Sequence, residues 1–185
     1  MTQYVDSLLT IVKEAGEAIM KIYNAGSIDV SYKDDRSPLT AADNAAHDII
    51  IKGLQQMTPH IAIVSEEGNE NVKSHQTATF WCVDPLDGTK EFIKKNGEFT
   101  VNIALIKDRV PVLGVVYAPA LHTYYYGSND QGSFKKIGEA VPVNISVSKR
   151  TTDLVAVGSR SHKHEEEDKL LSDLGITETI AKGSS

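Results

Sequence analysis

Two carboxylates, Asp84 and Asp87, lie three residues apart in the segment 84–89, Asp-Pro-Leu-Asp-Gly-Thr, directly after the apolar run 79–83. Asp-Pro and Asp-Gly pairs are typical of turns, because proline presets φ and glycine accepts a positive φ. A four-residue turn brings its ends within about 7 Å, so the spacing predicts that both carboxylates converge on one small volume. Two like charges that close together are unfavourable unless a cation lies between them. Mg²⁺, which prefers oxygen ligands, would supply that charge.

A third carboxylate follows a different predicted strand. Glu66, with Glu67 beside it, comes after the short apolar run 61–64. The ends of strands in open α/β layers are where ligands gather. Glu66 would then add a third anionic oxygen ligand to Asp84 and Asp87. A solvated loop is the alternative interpretation of the Glu66-Glu67 pair.

Several other polar residues have both structural and functional interpretations. Asp43 falls in the first turn of a predicted helix, where a carboxylate complements the helix dipole. Thr89 suits the N-cap of the segment that follows it. Cys82 is expected to be a small buried hydrophobe in a strand rather than a reactive thiolate. A basic cluster at 160–164 is either a solvated loop or a phosphate contact.

Hydrophobic periodicity predicts the helices that must hold these residues. Apolar residues recur at intervals of three and four over 3–23 and again over 40–57, which indicates two amphipathic helices. A strand at 154–157, a helix at 164–174 and a strand at 177–180 are typical of a βαβ unit.

Between the second helix and the βαβ unit the sequence favours strands. Five strand-like runs separated by short turn segments predict an antiparallel meander over 100–107, 110–118, 122–127, 132–137 and 141–147. We therefore expect an α+β fold, a layered α/β/α/β sandwich. Residues 1–149 would form an N-terminal domain that carries the metal site, and 150–185 would begin an incomplete C-terminal α/β domain.

Composition narrows the classes of function. The 185 residues are 41% hydrophobic and carry a formal net charge of −6, which argues against broad binding of nucleic acid. Cys82 is the only cysteine, so no intrachain disulfide is possible and a reducing cytoplasm fits. We expect neither a signal peptide nor a membrane span. Association with the cytoplasmic face of an inner membrane would be at most peripheral, and the first helix lacks the basic face that would support it.

Taken together, these motifs resemble the inositol monophosphatase superfamily of Mg²⁺-dependent, lithium-sensitive phosphatases. Glu66-Glu67 and the segment 84–89, with Phe92 three residues further on, carry the resemblance. The longer run 84–105, the sequence Thr-Ala-Ala-Asp at 40–43 and the sequence Gly-Val-Val-Tyr-Ala-Pro at 114–119 are most similar to its bacterial bisphosphate nucleotidase branch. The resemblance covers essentially the whole chain and implies the sugar-phosphatase type of layered sandwich.

The resemblance implies a role for each candidate residue. Glu66, Asp84 and Asp87 would ligate Mg²⁺ through their carboxylates and Leu86 through its carbonyl oxygen, with two or three ions per site. Asp43 and Thr89 would position and deprotonate the attacking water, and Glu66 is counted with them as catalytic. The backbone at Gly88 and Thr89 would hold a phosphate oxygen. The substrate-binding residues implied are Glu66, Leu86, Asp87, Gly88, Thr89, Ser184 and Ser185.

The implied reaction removes the 3′-phosphate from adenosine 3′,5′-bisphosphate and gives AMP and phosphate. The analogue 3′-phosphoadenylyl sulfate is a second expected substrate, and the resemblance allows a monomer or a homodimer. One alternative is an inositol monophosphatase, against which the sequence Lys-Glu-Phe at 90–92 argues. The other is an inactive module that binds metal or phosphate.

One departure from the family pattern affects the expected activity. Family members carry a further acidic ligand in a Trp-Asp motif, whereas the only tryptophan here is Trp81, followed by Cys82. They also extend past the position that corresponds to residue 185. We therefore expect the 185-residue chain to be a weak enzyme or part of a longer one.

Overall fold

The computed structural model describes residues 2–25, 30–32, 38–68, 78–159 and 165–183. A 3₁₀ turn at Thr2–Tyr4 leads into the first of four helices: α1 (Val5–Tyr23), α2 (Ala41–Met57), α3 (Thr89–Ile93) and α4 (Glu165–Asp173). The strands are β1 (Val30–Tyr32), β2 (Pro38–Thr40), β3 (Ala62–Ser65), β4 (Thr79–Asp87), β5 (Thr100–Lys107), β6 (Val110–Ala118), β7 (Thr123–Ser128), β8 (Gly132–Ile137), β9 (Val143–Ile145), β10 (Val155–Ser159) and β11 (Glu178–Lys182).

A seven-stranded sheet is the centre of the fold. Its strands follow the chain order β3-β4-β5-β6-β7-β8-β9. β3 pairs with β4 in parallel, and every later pair is antiparallel. The predicted meander is therefore confirmed. Because β3 and β4 are parallel, their carboxyl ends lie at the same end of the sheet.

The two long helices are confirmed and pack together beneath this sheet. α1 buries Leu8, Val12 and Ile19, and α2 buries Ile50 and Leu54. A fully buried tryptophan in β4 meets them, and the indole N–H of Trp81 donates to Thr58 Oγ1 at 2.8 Å. Because this hydrogen bond joins β4 to the end of α2, it fixes the strand that carries Asp84 against the helix that carries Asp43.

Cys82 corrects one expectation. It lies in a strand as predicted, but it is exposed rather than buried. Alternate residues of a strand point to opposite faces. Trp81 and Val83 take the face covered by the helices, so Cys82 points to the other face.

The C-terminal elements form the predicted βαβ unit. β10 and β11 pair in parallel, from Val155 opposite Glu178 to Ser159 opposite Lys182, and α4 lies between them in the chain. A domain boundary near residue 150 stays a prediction. Among the described residues, no helix is long and apolar enough to cross a membrane.

Candidate active site

A bulge in β4 places the two carboxylates of the acidic segment. Asp84 pairs with Asn102 of β5, and Asp87 pairs with Thr100, so Pro85 and Leu86 together lie opposite Val101 alone. One extra residue on one strand defines a β-bulge. Proline has no N–H to give to the ladder, which explains why the pairing breaks at this point.

The prediction of a four-residue turn at 84–87 is therefore wrong, because β4 continues through Asp87. The bulge nevertheless brings the two carboxylates to the same face of the strand. Residues three apart in a regular strand point to opposite faces, and one extra residue restores them to the same face. Pro85 and Leu86 are both buried on the core side, while Asp84 and Asp87 are only partly buried on the other.

The end of β3 brings Glu66 beside Asp84. Ser65 is paired with Val83, and the backbone N–H of Glu66 donates to the carbonyl of Val83 at 3.0 Å. The side chains of Glu66 and Asp84 share a hydrogen bond. The expectation that two strand ends would bring these carboxylates together is thus met by the parallel β3–β4 pair.

Electrostatic crowding at this sheet edge is strong. Burial, the negative charges of Glu66 and Asp87 and the hydrogen bond with Glu66 raise the pKa of Asp84 from 3.8 to about 7. The backbone N–H of Leu86 acts in the opposite direction but is outweighed. Since both neighbouring charges act on Asp84, the three carboxylates form one electrostatic group.

In the described part of the chain, buried polar atoms without partners lie at and beside Asp84. Among the described residues, Asp84 Oδ1, Asn102 Oδ1 and Thr100 Oγ1 are buried without a hydrogen-bond partner. Buried polar atoms are normally satisfied, so an orphaned carboxylate oxygen needs an explanation. Hard divalent cations prefer carboxylate and carbonyl oxygens as ligands, so the oxygen atoms of this site are suited to bind such a cation.

The carboxylates are not arranged as a finished coordination shell. Within the part of the chain that the structure describes, no three His, Cys, Asp or Glu side chains form a cluster that could hold a metal ion. Mutual repulsion opposes closer approach of Glu66, Asp84 and Asp87 when no cation lies between them. The metal site therefore stays a prediction supported by charge and by the orphaned Asp84 oxygen.

Asn102 is a site residue that sequence reasoning missed. Its Nδ2 donates to Asp87 Oδ2 at 3.4 Å, and its position opposite Asp84 in the ladder places it between the two carboxylates. Asn102 lies in an otherwise regular apolar strand, and a polar residue at that place is the only local signal. Its partner could be named only once the register of β4 and β5 was known.

The predicted Asp43–Thr89 pair forms in the structure. Thr89 Oγ1 lies 3.2 Å from Asp43 Oδ1 and 3.3 Å from the Leu86 carbonyl oxygen, so its single proton has two acceptors. Asp43 is fully buried, and its Oδ2 accepts from Thr40 N at 2.8 Å and from Thr40 Oγ1 at 2.6 Å. Burial raises the pKa of Asp43, while the hydrogen bonds from Thr40 and Thr89 oppose the rise. Asp43 thus has the structural role expected of it, as part of a capping box, and it also makes the contact with Thr89 on which its predicted catalytic role depends.

α3 follows the bulge, and its buried side packs against aromatic side chains. The interpretation of Thr89 as the N-cap is wrong, because Thr89 is the first residue of the helix and the N-cap is Gly88. Gly88 has φ 90° and ψ 39°, a left-handed conformation that favours glycine. Phe92 is fully buried, and its ring centroid lies 5.3 Å from that of Tyr23 and 5.2 Å from that of Phe99. These contacts hold the backbone of Gly88 and Thr89 in place beside Asp87.

The residue that follows β11 lies against α3 and the segment after it. A Cβ on Gly183 would lie 2.7 Å from Glu91 Cγ and 2.8 Å from Glu98 Cβ, so the backbone approaches too closely for a side chain. Lys182 Nζ also lies 3.8 Å from Glu98 Oε1. Ser184 and Ser185, the two remaining predicted substrate contacts, and the basic cluster at 160–164 fall outside the described residues.

Comparison with known proteins places this geometry in a family. Residues 1–185 match the Inositol monophosphatase family. The chain is 45% identical over 183 residues to the 3′(2′),5′-bisphosphate nucleotidase CysQ of Salmonella typhimurium, covering 97% of this chain and 73% of that one. The CysQ of Escherichia coli K12 is 44% identical with the same coverage.

A solved structure agrees with the fold. CysQ from Bacteroides thetaiotaomicron superposes with a TM-score of 0.82 at 36% identity, covering 98% of this chain and 73% of that one. The expected α+β layered sandwich and the resemblance to the bacterial nucleotidase branch are both confirmed. The chain belongs to the inositol monophosphatase family.

Proposed function

We propose that the chain is a divalent-metal-dependent phosphatase that removes the 3′-phosphate from adenosine 3′,5′-bisphosphate and releases AMP and phosphate. The observation that carries the proposal is the similarity to the CysQ nucleotidases over 97% of the chain, which spans the bulged strand and both elements beside it. 3′-Phosphoadenylyl sulfate, which carries the same 3′-phosphate, is the second proposed substrate. A cytoplasmic location is also proposed, because the sequence has a single cysteine.

The proposed metal is Mg²⁺, with two or three ions per site. Glu66, Asp84 and Asp87 would hold it through carboxylate oxygens and Leu86 through its carbonyl oxygen. The buried, unpartnered Asp84 Oδ1 supports this assignment, since a cation would satisfy it. When bound, the metal would supply positive charge for the phosphate and for the leaving oxygen.

Two side chains of the site could take the proton that the attacking water gives up. In hydrolysis a water oxygen bonds to phosphorus while the bond from phosphorus to the 3′ oxygen breaks, and the 3′ oxygen takes a proton from solvent to leave as the hydroxyl of AMP. Thr89 Oγ1 would accept a proton from the attacking water as its own proton passes to Asp43 Oδ1, 3.2 Å away. The backbone N–H groups of Gly88 and Thr89 are proposed to contact the phosphate, and Ser184 and Ser185 to contact the substrate.

Phosphate release from matched substrates tests the proposal. With Mg²⁺ we expect release from adenosine 3′,5′-bisphosphate, much less from inositol 1-phosphate, and none from AMP, whose only phosphate is at the 5′ position. EDTA should remove the activity and Mg²⁺ should restore it, because the carboxylates cannot replace the charge of the cation. Li⁺ should inhibit.

Three outcomes would each contradict the proposal. Faster release from inositol 1-phosphate would favour the monophosphatase alternative. Binding of Mg²⁺ without turnover of any of the three compounds would favour a non-catalytic module. Full activity in EDTA would exclude the metal from the mechanism.

The charge at Asp84 predicts how stability depends on pH in the metal-free protein. The pKa of Asp84 is about 7 in the folded chain, against 3.8 for an unperturbed group, so the folded state binds more protons than the unfolded state between these values. The free energy of unfolding must therefore fall as pH rises through this window. We expect EDTA-treated protein to be more stable at pH 5 than at pH 8, measured by urea unfolding with the fluorescence of Trp81, which is fully buried.

Asp84→Asn is the matched control for this measurement. Asparagine has no proton to lose, so the decline between pH 5 and pH 8 should become smaller. Mg²⁺ added at pH 8 should stabilise the original protein and not the variant. A stability that rises steadily from pH 5 to pH 8 in EDTA would contradict the prediction.

A further inference from the structure

A histidine on α2 contacts the end of the strand that carries Glu66. His47 lies four residues after Asp43 on α2. Because positions four apart share a face of a helix, His47 and Asp43 lie on the same side of α2. Its Nδ1 lies 2.9 Å from Ser65 Oγ, and Ser65 is the last residue of β3. This hydrogen bond is half-buried and joins residues eighteen positions apart.

His47 also lies near the far end of the turn that follows β3. The carbonyl of Ser65 accepts from the N–H of Gly68 at 3.1 Å, which closes a turn over 65–68 with Glu66 inside it. A Cβ on Gly68 would lie 3.9 Å from His47 Cε1, an ordinary van der Waals distance. The imidazole is therefore hydrogen-bonded to one end of the turn that presents Glu66 and lies near the other end.

The place of β3 in the sheet explains why such a contact matters. β3 has four residues and lies at the edge of the seven-stranded sheet, paired with β4. Its end is held to β4 through the bond from Glu66 N to the Val83 carbonyl oxygen. A second attachment, to the helix that carries Asp43, would fix Glu66 relative to the Asp43–Thr89 pair as well.

We propose that His47, acting through Ser65, is a positioning residue that holds Glu66 in register with Asp43. The inference rests on the proposed function, because it gives Glu66 a role as metal ligand. Groups that orient metal ligands without touching the metal alter metal affinity when they are removed. His47 contacts neither substrate nor metal in this proposal and acts only through the turn at 65–68.

A double-mutant cycle tests the inference with two readouts. The variants are His47→Leu, Ser65→Ala and the combination of both. His47→Asn is the conservative variant, because the asparagine amide can replace the imidazole Nδ1 as either donor or acceptor. The first readout is the Kd for Mg²⁺ by calorimetry, and the second is hydrogen exchange of the Gly68 amide in EDTA-treated protein. His60→Leu, which removes an exposed histidine after α2, is the matched control.

We expect each single variant to raise the Kd for Mg²⁺ about tenfold, at the lower end of the 10–100-fold known for outer-shell groups. The combined variant should raise it no further, since both changes break one contact. Gly68 should exchange faster in all three variants and at the original rate in His47→Asn and His60→Leu.

The two readouts separate this inference from the proposed function. Effects on Kd that multiply to about a hundredfold in the combined variant would overturn the coupling of His47 to Ser65. An unchanged exchange rate for Gly68, or faster exchange with an unchanged Kd, would overturn the positioning of Glu66 by His47. If the original protein bound no Mg²⁺, the proposed function would fail, and the exchange cycle alone would decide whether His47 holds the turn.

Discussion

Replacing Asp84 with asparagine is expected to lower kcat/KM for adenosine 3′,5′-bisphosphate by about 10³-fold or more. That factor corresponds to roughly 4 kcal/mol of transition-state stabilisation, within the several kcal/mol that a metal ion supplies. Asparagine has nearly the same shape but no negative charge, and it loses the orphaned carboxylate oxygen proposed to bind the cation. Phosphate release at saturating Mg²⁺ measures the loss.

The variant should nevertheless fold. An asparagine at this position can donate to Glu66, and it removes one of three mutually repelling charges at the sheet edge. In EDTA at pH 8, Asp84→Asn is therefore expected to unfold at a higher urea concentration than the original protein. Loss of activity together with a gain in metal-free stability is the signature of a charge kept for function.

Asp48→Asn is the matched control, because Asp48 is an exposed carboxylate on α2. It should change neither activity nor stability. Activity in Asp84→Asn within a factor of a few of the original would remove the bulged segment from the mechanism. Loss of activity accompanied by unfolding at pH 8 would show instead that Asp84 is a structural residue.

Local patterns in the sequence predicted most of the framework of the site. The 3.6-residue period over 3–23 and 40–57 corresponds to α1 and α2, since burial of one helix face is a local property. The meander followed from short strands and turns for the same reason. The sequence Thr-Ala-Ala-Asp at 40–43 also predicted the start of α2, where Thr40 and Asp43 form the capping box.

Features that depend on the register between distant strands could not be predicted in this way. The segment 84–87 has the composition of a turn, yet β5 supplies partners on both sides of it and keeps it in the strand. The orientation of Asp87 toward Asp84 then follows from one unpaired residue, which no local signal specifies. Asn102 and the His47–Ser65 contact were missed for the same reason, because each partner is distant in sequence and is selected by packing.

The Asp43–Thr89 pair supports the second large effect, a loss of turnover in Asp43→Asn. An asparagine can keep its oxygen toward Thr40, where Asp43 Oδ2 now accepts two hydrogen bonds. Its amide group then takes the place of Oδ1 and donates to Thr89 Oγ1. Thr89 must turn its proton toward the Leu86 carbonyl, 3.3 Å away, and can no longer pass it to residue 43.

We expect kcat to fall by about 10²–10⁴-fold in Asp43→Asn, the range typical of a lost general base. The Kd for Mg²⁺ should change little, since neither residue of the pair is a proposed metal ligand. Thr89→Val, which removes the hydroxyl but keeps the shape of the side chain, should lose a similar factor. Thr89→Ser keeps the hydroxyl and should retain most of the activity.

The comparison of serine with valine at residue 89 separates chemistry from packing. If the pair were only structural, valine would lower stability and serine would not, while kcat stayed nearly constant in both variants. If Thr89 accepts the proton of the attacking water, only valine should lower kcat, and Asp43→Asn combined with Thr89→Val should be little worse than either alone. Multiplicative losses in the combined variant would mean that Asp43 and Thr89 act separately, and the proton path proposed through them would be wrong.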